Sequence, residues 1–79
     1  MILRYKSHAR DQMMKRRISS TEVEMAAENR DTEYTAESGR GATHVWLGEV
    51  APGRRVKMYV SKLDEDEFLI HTIAIWGEE

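Results

Sequence analysis

Among the side chains of this 79-residue chain that could move protons or hold phosphate, seven are candidates for one site: His8, His44, His71, Tyr59, Arg16, Lys57 and Arg54. Scission of a phosphodiester without a metal needs a base for the attacking hydroxyl, an acid for the leaving oxygen, and cations for the charge that builds on phosphorus. Two aromatic rings, Trp46 and Tyr59, add surfaces on which a nucleobase could stack. Each residue also has a structural reading. His8 follows Ser7 at the start of a helix, a setting that suits a base and equally a histidine of a capping turn. His71 stands in an apolar strand, where a hydrogen-bonded core histidine competes with a catalyst. Tyr59 and Trp46 also suit a cross-strand aromatic pair. Arg54, with Arg55, adjoins a Pro-Gly turn and reads first as a solvated loop tip.

Other chemistries find less support. The chain has no cysteine, which removes thiolate ligands, cysteine nucleophiles and disulfides. The three histidines lack the local spacing of a metal site, so neither a metal nor a cofactor is expected. Ser7 and His8 are adjacent on a helix and project about 100° apart, the wrong geometry for a nucleophile and its base.

Two helices and a meander must position these residues. Ser7 to Arg17 runs without Gly or Pro, with Ser7 as its expected cap. At helical spacing Ala9, Met13 and Arg16 share one side, with Gln12 turned toward the other. Arg16 therefore points inward, and its guanidinium should be at least half buried against a carboxylate, a carbonyl or a cleft. Ser19 and Glu22 form a capping box flanked by Ile18 and Val23, which starts a second helix over residues 20–29. Strands follow at 33–37, 43–50, 55–63 and 67–76, the first an edge and the last apolar on both faces. A four-residue loop from Ala51 to Arg54 would pair Val50 with Arg55, Leu47 with Met58, Val45 with Val60 and Trp46 with Tyr59. Val45, Leu47, Val56, Met58 and Val60 would then meet the helices, leaving Trp46, Tyr59 and Lys57 on the other face. The expected architecture is α+β: two N-terminal helices on a three- or four-stranded antiparallel sheet, as one domain over residues 1–79.

Charge comes in blocks. Residues 1–17 hold six basic side chains against one acidic, 18–37 one against six, 38–63 five against one, and 64–79 six acidic and none basic. A basic face is compatible with the net charge of −2, as are solvated faces that pair with each other. No apolar run approaches the ~18 residues of a membrane span and no signal-like segment opens the chain, so a soluble cytoplasmic protein without membrane association is expected.

Tyr5, Ser7-His8-Ala9, Met13, Arg16, Ile18-Ser19 and Glu22-Val23 resemble the signature of the bacterial family known as domain of unknown function 4258. Gly53-Arg54-Arg55-Val56 and His71-Thr72-Ile73 resemble its later strands, so the likeness spans nearly the whole chain. The order of elements is also similar to that of RelE-type toxins, small ribonucleases that cut RNA with basic, His and Tyr side chains. That analogy implies a metal-free endoribonuclease acting on RNA or the ribosome; of the candidate residues above, His8, Arg16, His71 and Tyr59 are then expected in catalysis and Lys57, Trp46 and Arg54 on the RNA. The terminal acidic run and a pI near 5.9 suit a second reading. In it the chain is a non-catalytic module, such as a phage- or plasmid-borne inhibitor, that docks a basic protein partner through Glu22, Glu24, Glu28 and the 64–67 run.

Overall fold

The computed structural model describes residues 1–35 and 41–77. Among these described residues seven elements follow in order: β1 (Ile2–Tyr5), α1 (Ser7–Arg16), α2 (Ser20–Glu28), β2 (Arg30–Thr35), β3 (His44–Ala51), β4 (Arg54–Asp64) and β5 (Glu67–Ile75). The strands form one sheet in the order β1-β5-β4-β3-β2. The α+β class is as expected, but the sheet has five strands and is mixed. The unforeseen strand is β1, which pairs parallel to β5 from Ile2 opposite Glu67 to Tyr5 opposite Ile70. Four residues are too few to show an alternation, and the partner lies at the far end of the chain. With β1 outside it, β5 becomes an interior strand, which accounts for its apolar character. β2 lies at the other edge; residues 36 and 37 of its expected span fall outside the described residues.

Helix α2 begins as expected: the Ser19 hydroxyl accepts from the Glu22 backbone N–H, and the Glu22 carboxylate accepts from the Ser19 N–H. α1 differs. Its N-cap is Lys6, without a side-chain cap, and Ser7 is already helical. Its end is a Schellman turn: Arg17 sits in the left-handed region at φ 55°, Ile18 N–H bonds the Met13 carbonyl at 2.9 Å, and Arg17 N–H reaches that of Met14. Arg30 closes α2 by donating to the Ala27 carbonyl at 2.5 Å.

The hairpin of β3 and β4 corrects the expected register by one residue. Ala51 pairs with Arg54 around Pro52-Gly53, with Gly53 at φ 77°, and the ladder shifts between Glu49 and Ala51. Pro at the first turn position and a positive-φ Gly at the second make a type II turn, whose twist suits a two-residue hairpin poorly; the bulge at Val50 accompanies it. Beyond the bulge Trp46 lies opposite Met58 and Val45 opposite Tyr59. A slip of one residue exchanges the faces of a strand. Trp46 therefore joins Val56, Met58, Val60, Ile70, Ile73 and Ile75 beneath the helices, while Val45 and Leu47 turn to the opposite face.

Ala9, Ile18, Val23, Ala26 and Ala27 supply the helical half of that core. α2 comes close to β3 at Gly48, where an added Cβ would meet Ala26 backbone atoms. α1 lies over β5, and Gln12 faces the sheet rather than solvent, its side-chain oxygen accepting from Ile73 N–H at 2.8 Å. β1 ends its pairing at Ile70, so this strand donor lies past the end of the ladder and finds its partner on the helix.

Candidate functional site: the helix-free face of the sheet

Side chains alternate along β4, so Lys57, Tyr59 and Ser61 project from one face, the face away from the helices. At about 3.3 Å per residue they span roughly 13 Å. Lys57 Nζ lies 5.3 Å from the centre of the Tyr59 ring and 5.2 Å from that of Trp76, a cation held between two aromatic surfaces. At the other end of the row Ser61 Oγ and His71 Nε2 are 2.7 Å apart. The contact depends on a shift in the β4–β5 ladder: Tyr59 faces Thr72 and Val60 faces Ile70, which leaves His71 as the extra residue. The bulge turns His71 to the same face as Thr72.

His71 is 8% exposed, and burial pushes its pKa below the ordinary value near 6.5, with the Lys6 ammonium adding in the same direction. The ring is accordingly neutral at pH 7, able to accept a proton. Lys6 reaches this corner because its N–H bonds the Ile70 carbonyl where β1 gives way to α1. Gly41 adjoins the same ring, and a Cβ there would stand 3.8 Å from His71 Cε1.

The residues expected to act together divide between two sides of the sheet. His71, Tyr59 and Lys57 share the helix-free face. His8 and Arg16 lie on α1 across the sheet, eight residues apart, or about 12 Å along the helix axis. His8 is exposed; Arg16 is partly buried but has no hydrogen bond or ion pair with a described residue, so its expected partner is absent there. Trp46 is corrected outright: it is 1% exposed, with Arg30 stacked 4.1 Å from its ring centre and Phe68 edge-on at 4.9 Å, leaving no surface for a base. Arg54 is not a loop tip. Its Nε donates to Glu22 at 2.9 Å and its Nη2 to the Arg17 carbonyl at 3.2 Å, tying the β3–β4 turn to the junction of the helices. Arg55 likewise pairs with Asp31. His44 bonds Thr43 Oγ1 through Nδ1.

Sequence reasoning missed Lys6, Ser61 and Trp76. Ser61 carries a signal in retrospect, since it follows Lys57 and Tyr59 at the period of a strand; Lys6 and the partnership with His71 follow only from β1 and the bulge.

Among the described residues no group of three or more His, Asp or Glu side chains is placed to hold a metal ion, and no helix is long and apolar enough to cross a membrane. The family model described as domain of unknown function (DUF4258) matches residues 5–74, and the chain belongs to that family. No curated protein and no solved structure matches the chain.

Proposed function

We propose that the protein is a small metal-free endoribonuclease of toxin type, working on the helix-free face of its sheet. The observation that carries this reading is the row of Lys57, Tyr59 and the Ser61–His71 pair on one surface. In this reading the RNA 2′-hydroxyl passes its proton to Ser61 Oγ as the Ser61 proton passes to His71 Nε2. The 2′-oxygen attacks the adjacent phosphorus, the bond from phosphorus to the 5′-oxygen breaks, and the Tyr59 hydroxyl returns a proton to that oxygen. The products are a 2′,3′-cyclic phosphate and a 5′-hydroxyl. Lys57 and Lys6 offset the charge on phosphorus from either end of the row. His8 and Arg16 are assigned to the helix-side surface, where they could engage a distant part of a long RNA or the ribosome.

The test is incubation of purified protein with mixed-sequence RNA in EDTA, alone and with ribosomes. Cleavage by the parent with at least hundredfold loss in His71→Ala and Tyr59→Phe is expected, given the usual contribution of proton transfer. Unchanged cleavage in both variants removes the row from the mechanism. A parent that cleaves nothing favours the non-catalytic module. That second reading rests on the outward side of α2, where Glu24, Met25 and Glu28 are exposed. Glu22 is a poorer contact in it, being bound to Ser19 and Arg54.

A further inference from the structure

Trp76 belongs to the same face but has no part in the proton transfers above. It follows β5 directly, its N–H bonding the Arg55 carbonyl at 2.8 Å, and half of its surface is open to solvent. Its ring is one wall of the Lys57 cage, with Tyr59 as the other. An exposed indole beside an ammonium fits one kind of ligand well: a flat base carried on an anionic backbone. No helix among the described residues packs on this face, and although Val45, Leu47 and Ala74 beside Lys57 and Tyr59 are buried, the half-exposed Trp76 ring is reachable by an extended strand. A duplex keeps its bases stacked inside and offers the rings nothing.

We propose that Trp76, with Lys57 and Tyr59, is a base-stacking subsite that makes single-stranded nucleic acid, and not duplex, the ligand of this face. The subsite deepens the ribonuclease reading by naming its substrate class, and it rests on that reading for its connection to cleavage. Stacking takes any base and does not require the 2′-hydroxyl, so the subsite holds a DNA strand that cannot be cleaved. A phosphate beside the stacked base falls toward Lys57, and the strand continues along the row toward Lys6.

The experiment uses the full chain with a twelve-residue oligo(dT) and with the same strand annealed to oligo(dA), read by tryptophan fluorescence and by anisotropy of a labelled strand. Trp46 is sealed in the core, so quenching on binding reports Trp76. Quenching by the single strand, at least tenfold weaker binding of the duplex, and about tenfold loss in Trp76→Ala with most affinity kept in Trp76→Phe are the expected results. Equal binding of duplex and single strand, no quenching, or full affinity in Trp76→Ala would overturn the subsite. The quenching is read on the parent protein, so it decides the matter even if Trp76→Ala folds poorly. His71→Ala separates the two readings: it keeps parental affinity for oligo(dT) while losing cleavage of RNA. Binding without cleavage by the parent ends the ribonuclease reading and leaves the subsite standing.

Discussion

The backbone of Ala26 occupies the space that a side chain on Gly48 would need. A Cβ at Gly48 would lie 2.9 Å from both the Cα and the carbonyl carbon of Ala26, and nearer still to its oxygen. Backbone cannot swing aside as a flexible side chain can, so α2 must lift from β3 to admit a methyl group. Gly48→Ala should therefore destabilise the fold by about 3 kcal/mol, at the upper end of overpacking costs. A urea melt checks this. A loss below about 1 kcal/mol would mean that α2 shifts freely on the sheet.

Burial of His71, with the Lys6 ammonium nearby, makes stability depend on pH in a definite direction. His71 has a folded pKa below its unfolded value near 6.5, so the unfolded chain binds the proton more readily. Its contribution is full above about pH 6.5 and is lost as pH falls from there toward the folded pKa. His71→Gln should flatten the dependence of stability on pH in that window, measured by urea midpoints between pH 5 and 7.5. An unchanged slope would move the acid sensitivity to other groups.

Gln12 answers for one backbone donor. In Gln12→Leu the Ile73 N–H, which lies past the end of the β1 ladder, loses its acceptor. The cost should be about 1 to 3 kcal/mol, with faster hydrogen exchange at Ile73 relative to Met58 opposite it. Equal exchange in parent and variant would show that another acceptor replaces the side chain.

What the sequence disclosed and what it hid follow from the range of the interactions. The capping box at Ser19 and Glu22 spans three residues and was legible, as were both helices and the edge position of β2. The register of the β3–β4 hairpin was not: Pro52-Gly53 marks a turn, but only the folded ladder reveals that Val50 is the extra residue. That single bulge reverses the roles of Trp46 and Val45, moving one expected RNA contact into the core. Tyr59 and Lys57 were placed on the helix-free face because β4 alternates without interruption. His71 was readable as polar in an apolar strand, but its partner Ser61 and its neighbour Lys6 come from the second bulge and from β1. Arg54 illustrates the same limit, since a guanidinium beside a turn looks solvated until α1 and α2 meet over it.

The left-handed residue Arg17 offers the last test, and it isolates backbone from side-chain effects. At φ 55° and ψ 48° a residue with a Cβ is strained by about 1 to 2 kcal/mol, whereas Gly adopts the same angles freely. Against that gain stands the greater freedom of Gly in the unfolded chain, about 0.4 to 1 kcal/mol. The carbonyl that accepts from Arg54 belongs to the backbone and survives the change. Arg17→Gly should therefore be more stable than the parent by roughly 0.5 to 1 kcal/mol, or a few degrees in Tm for a domain of this size. Arg17→Ala removes the same charge but keeps the Cβ, and it should show no gain. If the two variants melt together, the benefit comes from losing a cation in a basic segment, and the Schellman turn carries no strain.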